Sequence, residues 1–589
     1  MASLSQLIAK PATFSVSTPR TSSGQYRPRR ATVQCASSRG GERSEPDAPK
    51  HQDRRDPRRA RRQCHRHPDV RASRRRRPRR DARRLLLRRR GPSAERQRAT
   101  CCPPPSSAPA VDFTPPDAAS LPLRTRPAAH SVTADYVAKF NAGIAAMKAL
   151  PPDDPRSFSA QASVHCAYCD GSYSPEGFPG VELQVHNSWL FFPFHRCYLY
   201  FFERILGSLV GDPSFAMPFW NWDAPDGMRL PAMYADQSSQ LYDPRRDGRH
   251  GTPKLIDLDY SGTEPRFTDK QQVDHNLRVM YRQMVSLSPT PSLFFGSAYR
   301  AGDDPNQGPG PLENVPHGPV HVWCGDPKQP AREDMGNFYS AGNDPLFYAH
   351  HANIDRMWSV WKGIDARRHT DLTDPDWLDA SFLFYDETPQ LVRIRVRDVL
   401  DTGSLRYQYQ DVPLPWTAAR PTVTRRADSL LAPAAQAAAA AARKAGDFPI
   451  TLDEATSVTV KRPVAGKRSK AEKASEEEVL VIDGIEVDRD VAAKFDVFVN
   501  AEDHGAVGSG GRELAGSFVN VPHRHGHGRG RGRGHGKNGG GIKTKLRLAL
   551  NEQLEDLKAE DDESVVVTLV PRQGKGKVKI GGVKIELMH

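Results

Sequence analysis

Two histidines in the segment NVPHGPVHVW have a spacing that suits a metal site. His317 and His321 are four residues apart, so on a helix their imidazoles project from one face, about one turn apart. Pro319 fits a helix only in its first turn, which predicts that the helix begins at or just before His317. The segment therefore predicts a pair of imidazoles close to a helix start.

A second helix is predicted further along, in NDPLFYAHHANIDRMWSVW. Asp344 followed by Pro345 is a typical helix start, and His350 and His351 fall in the middle of the apolar pattern that follows. A single histidine on an apolar stripe is usually a hydrogen-bonded core residue. Three histidines that can converge are better explained by a shared metal ion.

Three earlier histidines repeat this theme. His165 lies in VHCAYC, His186 lies in LQVHNSW, and His195 opens HRCYLYFFERIL, a predicted aromatic helix that ends at Gly207. Two helix-borne triads that face each other are how α-helical bundles build dinuclear metal sites. Asp and Glu are nearly absent around these histidines, which argues against a di-iron site. Two neutral imidazole sets favour copper.

The cysteines of VHCAYCDG, Cys166 and Cys169, allow two other chemistries. A structural zinc site would need a second close ligand pair and would leave His186 unexplained. A redox dithiol of the thioredoxin type would need a βαβ context that is not predicted here. The chain has eight cysteines, too few for a disulfide scaffold in 589 residues.

The N-terminal part differs in composition from the rest. Residues 1–38 are rich in Ser and Thr and contain no Asp or Glu, which is typical of a plastid transit peptide, the alternative being an ordinary disordered terminus. Residues 39–100 are Arg-rich, and 51–100 alone hold 21 Arg against five Asp and Glu, so the net charge of +14 belongs to this segment. It contains no aromatic residues, which favours a disordered targeting region over a nucleic-acid-binding arm. Our hypothesis is that 44–100 is read in a shifted frame.

The remainder divides into three predicted regions. Aromatic residues crowd the first, 101–416, where ADYVAKFNAGIAAMKALPP predicts an amphipathic helix that stops at Pro151. Residues 417–449 are Ala-rich and predict a linker open to proteolysis. Residues 450–589 contain short alternating runs that predict an all-β sandwich or jelly-roll. The loop HRHGHGRGRGRGHGKNGGG, from His523, is interpreted as a long flexible loop rather than an RNA-binding or metal tract.

The order of several motifs resembles one family. These motifs are HCAYC, FHRCYLYFFER, MPFWNWD, NVPHGPVH, MGNFYSAGNDPLFYAHHANIDRMW, DWLDASFLFYDE, RYQYQDVPLPW and FVNVPHRHGH. Together they resemble the plant polyphenol oxidases, type 3 copper enzymes of the tyrosinase and catechol oxidase group. The resemblance implies a mainly α catalytic domain, in which a four-helix bundle with long loops holds a dinuclear copper site, and a C-terminal β shielding domain.

The resemblance also implies roles for individual residues. Copper A would be held by His165, His186 and His195, and copper B by His317, His321 and His351. Cys169 would form a thioether with His186. Cys166 would form a disulfide with one cysteine of the CC pair, Cys101. The partner of Cys102 is not predicted, and Cys197 and Cys324 are expected to be buried thiols.

Four further positions match the entrance of the family's site. Phe338 would be an aromatic gate over copper A, and Glu313 would orient a water near copper B. Gly318 and Val322 would line the substrate entrance. The small Gly318 removes a side-chain amide that could hold this water, which favours diphenolase over monophenolase activity. His350 would lie beside the site without binding copper.

The implied reaction oxidises catechols to o-quinones while O₂ is reduced to water. An O₂ carrier of the hemocyanin type is the alternative for the same site. The chain would be latent until a protease cuts the linker beyond Tyr407 and Tyr409. Its expected partners are small phenols, O₂ and this protease, with no nucleic acid; no apolar run predicts a membrane span. The segment RRDARRLLLRRRGP keeps only a trace of a thylakoid-lumen import signal within a chloroplast-targeting region.

Overall fold

The computed structural model of the chain describes residues 34–35, 101, 108–169, 173–174, 178, 181–423, 447–464, 466–501, 503–508, 510–523 and 541–589. The predicted transit peptide and Arg-rich segment lie outside these residues, apart from Gln34 and Cys35. Cys102, most of the predicted linker and most of the loop after His523 also lie outside them.

Helices dominate the region before residue 380. The described part of the chain contains eleven α-helices: α1 (Ala134–Ala149), α2 (Phe158–Cys169), α3 (Phe191–Leu209), α4 (Asp269–Tyr281), α5 (Pro291–Phe294), α6 (Gly318–Cys324), α7 (Leu346–Ile364), α8 (Pro375–Asp379), α9 (Lys470–Ser475), α10 (His504–Val507) and α11 (Asn551–Asp556). The predicted helical core is confirmed.

Strands dominate the region after residue 449. In chain order the described strands are β1 (Gln34–Cys35), β2 (Val111–Asp112), β3 (Arg124–Arg126), β4 (Tyr173–Ser174), β5 (Ser381–Tyr385), β6 (Leu391–Arg395), β7 (Tyr407–Tyr409), β8 (Ile450–Thr451), β9 (Thr456–Lys461), β10 (Glu477–Asp488), β11 (Ala493–Val499), β12 (Leu514–Asn520), β13 (Gly541–Ala549), β14 (Ser564–Gln573), β15 (Val578–Ile580) and β16 (Gly582–Met588).

The C-terminal strands form two sheets that share one hydrophobic core. One sheet has the order β13-β10-β15-β8 with β16 also paired to β10, and the other has the order β12-β11-β14-β9. Val481 and Leu546 of the first sheet belong to the same buried cluster as Phe495 and Val567 of the second. The predicted β-rich C-terminal region is confirmed, with three short helices, α9 to α11, between its strands.

Three of these strands, β8, β9 and β12, are not among the runs that the sequence predicts. Strand β12 has the sequence LAGSFVN, and six of its seven residues are buried. A strand buried on both faces lacks the alternation of apolar and polar residues by which exposed strands are recognised. Gly516 and Ser517 further weaken its apolar pattern.

Helix α1 agrees with its predicted bounds, and helix α3 does not. Helix α1 begins after Thr133, whose side chain accepts a hydrogen bond from the Tyr136 amide, and it ends before Pro151 as predicted. Helix α3 begins at Phe191, four residues before the predicted opening at His195, and continues through Gly207 to Leu209, so both predicted bounds are wrong. Gly207 is needed within the helix because a Cβ at this position would lie 2.9 Å from the Asp212 carbonyl oxygen.

A group of five buried charged residues, which we call the charge cluster, joins α3 and α7 to two short strands. Its members are Arg124 and Arg126 of β3, Arg196 and Glu203 of α3, and Asp355 of α7. Glu203 forms ion pairs with Arg124 and Arg126, whose Nε atoms lie 2.9 and 2.8 Å from its carboxylate oxygens. Asp355 forms ion pairs with Arg196 and Arg126, at 2.5 Å from Arg196 Nε and 3.2 Å from Arg126 Nη1.

The predicted tyrosine motif completes this cluster. The hydroxyl groups of Tyr407 and Tyr409 donate to Asp355 Oδ2 at 2.6 and 2.5 Å. Strand β7, which carries both tyrosines, pairs in parallel with β3. The side chains of β3 and β7 therefore link α3 to α7 through the charge cluster and fix the two helices relative to each other. Among the described residues, no helix is both long and apolar enough to cross a bilayer.

Candidate active site

The first histidine triad comes from two helices and a loop. His165 lies near the end of α2 and His195 lies in the first turn of α3. His186 lies in an irregular segment before α3, so the expectation of a fully helix-borne triad is wrong at this position. The irregular backbone is stabilised by Gln184, whose Oε1 accepts from the His186 amide at 3.0 Å.

The second triad lies on two further helices. His317 immediately precedes α6 and His321 lies within it, which confirms the predicted helix start near His317. His351 lies on α7, which begins at Leu346 as the sequence predicts. The Asp344 side chain accepts from the Leu346 amide at 2.8 Å and so stabilises this helix start.

Backbone carbonyls orient four of the rings through their Nδ1 atoms. His165 lies 2.9 Å from the Phe338 carbonyl and His195 lies 2.8 Å from that of Phe191. His317 and His321 lie 2.9 and 2.7 Å from the carbonyls of Glu313 and Met335. An Nδ1–H that donates to a carbonyl leaves the Nε2 lone pair free to bind a metal.

Most of the outer nitrogens meet inside the protein without a partner among the described residues. The potential ligand atoms of the first triad lie within 4.8 Å of one another, and so do those of His317, His321, His350 and His351. The Nε2 atoms of His165, His186, His195, His317 and His350 are buried without a hydrogen bond, while those of His321 and His351 lie 3.4 Å apart. Buried polar atoms without partners are rare, and several aimed at one space indicate a metal site.

The two triads also lie against each other. The rings of His195 and His351 are stacked with their centroids 4.1 Å apart, and His186 and His317 have centroids 5.6 Å apart. Complete burial lowers the pKa of these imidazoles, to about 3 for His195 and about 4 for His321. The rings are therefore neutral, as metal ligands must be.

His350 lies beside the second triad but has the opposite hydrogen-bond arrangement. Trp222 Nε1 donates to its Nδ1 at 3.1 Å. An Nδ1 that accepts a hydrogen bond carries no proton, so the proton of neutral His350 is on Nε2. This tautomer cannot offer Nε2 to a metal, which distinguishes His350 from its neighbour His351.

Phe338 covers the first triad and connects it to the C-terminal region. Its ring is stacked on His186 with centroids 4.0 Å apart. Its backbone N–H donates to the Pro522 carbonyl at 2.9 Å, and its own carbonyl is the acceptor for His165. A movement of residues around Pro522 would therefore be transmitted to a ligand-bearing segment.

Glu313 lies at the edge of the second triad. Its Oε1 accepts from the Asn187 amide at 2.5 Å, and its Oε2 is buried without a partner among the described residues. Burial raises the pKa of this carboxyl well above its ordinary value, although backbone N–H groups of Asn187 and Ser188 act in the opposite direction.

A small cavity lies between these residues and the C-terminal region. From the catalytic side it is lined by Asn187, Glu313, Asn314, His317, Gly318 and Phe338, and from the C-terminal side by Val519, Asn520, Val521 and His523. A Cβ on Gly318 would lie 2.9 Å from Val519 Cγ1, so the cover is tight at this point. Val322 is not among the lining residues and is buried in the catalytic core.

A shielding domain is predicted from the sequence, but the residues by which it covers the triads are not. The His523 ring stands edge-on to Phe338 with centroids 4.6 Å apart, and Asn314 Oδ1 accepts from the Val519 amide at 2.8 Å. His523 was expected only as the start of a loop. The motif FVNVPHRHGH was the available signal, but its position over the triads depends on the packing of β12.

The cysteines near the first triad occupy different environments. Cys101 and Cys166 form a disulfide. Cys169 is buried, and its backbone carbonyl accepts from Gln184 Nε2 at 2.8 Å. Gln184 thereby connects Cys169 to the segment of His186, while the thioether stays a prediction. Cys197 and Cys324 are buried, as expected.

Comparison with protein families divides the described chain into three parts. Residues 155–364 match the common central domain of tyrosinase, 371–422 match the polyphenol oxidase middle domain, and 448–587 match the chloroplastic polyphenol oxidase C-terminal domain.

Individual relatives extend over most of the chain. It is 56% identical to the chloroplastic polyphenol oxidase of Malus domestica over 489 residues, 82% of this chain and 80% of the relative. It is 49% identical to aureusidin synthase of Antirrhinum majus over 486 residues, 82% of this chain and 84% of that one. The structure of latent apple tyrosinase aligns with a TM-score of 0.75 at 54% identity, over 82% of this chain and 100% of that one.

Fold, histidine triads and relatives together define a type 3 copper protein of the tyrosinase family. Within this family the chain belongs to the plant polyphenol oxidases, which confirms the resemblance of its motifs.

Proposed function

We propose that the chain oxidises o-diphenols to o-quinones with O₂, which is reduced to water as two diphenols are consumed. The observation that carries this proposal is the meeting of two buried imidazole triads in which the Nε2 atoms of four rings have no hydrogen-bond partner among the described residues, while those of His321 and His351 lie 3.4 Å apart. Copper A would be held by His165, His186 and His195, and copper B by His317, His321 and His351.

The donor set fits two copper ions. Neutral imidazole is a ligand that suits copper, and neither triad brings a carboxylate of the kind that di-iron sites use. When bound, the two ions would supply O₂ binding and the transfer of electrons from the phenol. We propose that α2, α3, α6 and α7 act as the four-helix bundle that holds them, with a thioether from Cys169 restraining His186.

The remaining residues would orient the phenol and keep water out. Phe338, stacked on His186, offers an aromatic surface against which a phenol ring can lie. Glu313 lines the cavity, and its Oε2, which has no partner among the described residues, would accept a hydrogen bond from a water or a phenol hydroxyl. Gly318 provides no side-chain amide to hold that water, which supports a preference for diphenols. Val322 is proposed only as a determinant of entrance shape.

We also propose that the C-terminal region keeps the enzyme latent. Val519, Val521 and His523 line the cavity that a phenol must enter, so a substrate cannot occupy it until this shielding domain moves or is removed. The relatives' name as chloroplastic enzymes supports location in the chloroplast, and we propose the thylakoid lumen as the compartment.

Quinone formation with measured O₂ consumption tests the proposed reaction. We expect copper-loaded chain, activated by detergent, to consume one O₂ for every two molecules of 4-methylcatechol and to oxidise tyrosol much more slowly. Metal-free chain treated identically is the control. A copper-loaded chain that binds O₂ reversibly and forms no quinone would be a carrier, and the proposal would be wrong.

A further inference from the structure

The segment that leaves the catalytic domain is anchored first to that domain. Trp416 is fully buried, and its Nε1 donates to Asp223 Oδ2 at 3.1 Å. Asp223 also forms an ion pair with Arg356 of α7 at 3.0 Å. The chain is thus fixed to the catalytic core immediately before residues 417–423, which we call the strap.

The strap then contacts the shielding domain. Thr422 forms a parallel bridge with Gly511, and its carbonyl accepts from the Arg512 amide at 3.0 Å. Arg420 Nη2 lies 2.8 Å from Asp556 Oδ1, and its Nε lies 3.1 Å from Glu552 Oε1. Within a few residues of its anchor, the strap has therefore become part of the shielding domain's surface.

Glu552 and Asp556 of α11 also bind Arg512, so the contact of the strap with the shielding domain is a network of charges and not a single ion pair. Arg512 lies 2.5 Å from Asp556 and 3.1 Å from Glu552, and its Nη1 donates to Ser286 of the catalytic domain at 3.1 Å. Networks of charges restrain one another more strongly than isolated surface pairs do.

Buried contacts continue across the interface of the two domains. Lys494 of β11 is buried and lies 3.0 Å from Asp259 of the catalytic domain. Leu287 and Leu293 of the catalytic region belong to the hydrophobic core of the shielding domain, and Val521 belongs to the catalytic core. The two domains exchange apolar side chains as the halves of one folded unit do.

We propose that a chain cut once beyond the strap, within residues 424–446, remains a non-covalent complex of two fragments in which the shielding domain still covers the site. Cleavage and activation are then separate steps, and release of the shielding fragment is the second. The strap contributes to this interface because it stays with the catalytic fragment while its side chains bind the shielding fragment. The proposal deepens the proposed latency and rests on it.

The direct test is to introduce one site for a specific protease between residues 424 and 446 of the full-length chain and to cut it completely. At about 1 µM protein we expect both fragments to elute together from a size-exclusion column, because buried ion pairs and exchanged apolar side chains hold them together. Catechol oxidation by the cut complex should stay within about twofold of the uncut chain. Fragments that separate on cutting, or a co-eluting complex that is fully active, would each overturn the proposal.

The contribution of the strap is tested by Arg420→Glu in the same cut chain. The variant places a negative charge against Glu552 and Asp556, so we expect the dissociation constant to rise about tenfold and to depend less steeply on salt. Arg397→Glu is the matched control, because Arg397 forms a surface pair with Asp379 inside the catalytic domain and its side chain is 47% exposed, against 48% for Arg420. Equal effects of both variants would contradict a specific role of the strap.

The co-elution measurement does not depend on enzyme activity. The test of this inference and the test of the proposed function can therefore fail separately. If the isolated catalytic fragment did not oxidise catechol, the proposed function would be wrong while the fragments could still co-elute. If the fragments separated at once and the released catalytic fragment formed quinone, the proposed function would stand and this inference would be wrong.

Discussion

Helices α3 and α7 carry two buried polar clusters that are chemically opposite. His195 and His351 lie on the side of the two triads, where Nε2 of His195 and Nδ1 of His351 have no partner among the described residues. The neighbouring Arg196 and Asp355 lie in the charge cluster, where Asp355 accepts from two arginines and two tyrosine hydroxyls.

The difference separates a structural cluster from a functional one. In the charge cluster, arginines and tyrosines of the protein itself bind both carboxylates. The carboxylates therefore need no ligand once the chain has folded. In the triads, backbone carbonyls hold four of the six rings through Nδ1. The ligand atoms of the rings nevertheless converge on a common space. Arg124 Nη1 and Arg126 Nη2 also lack a partner among the described residues, but they are donors and have no lone pair for a metal. Several lone pairs that converge on one space without partners indicate a ligand that arrives after folding.

The largest expected effect is on the charge cluster. Asp355→Asn removes the charge that Arg126 and Arg196 share and leaves the three buried guanidinium groups of the cluster with a single carboxylate, Glu203. We expect metal-free protein to lose about 3–5 kcal/mol in its free energy of unfolding, as measured by urea denaturation. A loss below about 1 kcal/mol would show that this cluster does not hold α3 and α7 together.

The charge cluster also predicts an acid limit to stability. Burial alone would raise the pKa values of Asp355 and Glu203, but the neighbouring arginines outweigh it and hold both pKa values below the ordinary ones. For a carboxyl whose pKa is lower in the folded state, the stabilisation is complete above the unfolded pKa and is lost as the pH falls through the folded pKa.

Stability should therefore fall below about pH 4, by about 1.4 kcal/mol per pH unit for each proton taken up. Urea denaturation of metal-free protein between pH 5 and 2.5 measures this slope, which we expect to be shallower in Asp355→Asn. Identical slopes in the variant and the parent chain would assign the acid sensitivity to other groups.

A smaller effect on stability is expected from the triads. His351→Asn removes a ring whose Nδ1 has no partner, so metal-free protein should lose only about 1–2 kcal/mol from the cavity that is left. Copper content, measured by atomic absorption, should fall from two ions per chain to one.

The adjacent His350→Asn is the matched control for this change. It can keep the hydrogen bond from Trp222 Nε1, because the side-chain oxygen of Asn lies close to the place of the His Nδ1, so it should cost only about 1–2 kcal/mol from the cavity that is left. It should nevertheless retain two copper ions. If the two variants lost copper equally, the assignment of the His350 proton to Nε2, and with it the exclusion of His350 as a ligand, would be wrong.

The sequence predicts the parts of the site that depend on local spacing. The pair His317 and His321, the helix start at Asp344 and the amphipathic α1 all follow from helix periodicity and end preferences, which act over a few residues. The position of His186 does not, because its irregular segment is stabilised by Gln184 and not by a regular element.

Contacts between distant segments could not be predicted in the same way. Strand β3 pairs with β7 although about 280 residues separate them, and only this pairing brings Arg126 to Asp355. His523 reaches Phe338 only because β12 packs beside α6. Single-sequence patterns contain no information on such pairings.

The central claim, that six imidazoles bind two copper ions, is tested most directly by copper content combined with X-ray absorption at the copper edge. The account predicts two copper ions per folded chain, each with about three nitrogen ligands of imidazole type. Fewer than two ions in the fully loaded chain, or first-shell ligands dominated by sulfur or carboxylate oxygen, would contradict it.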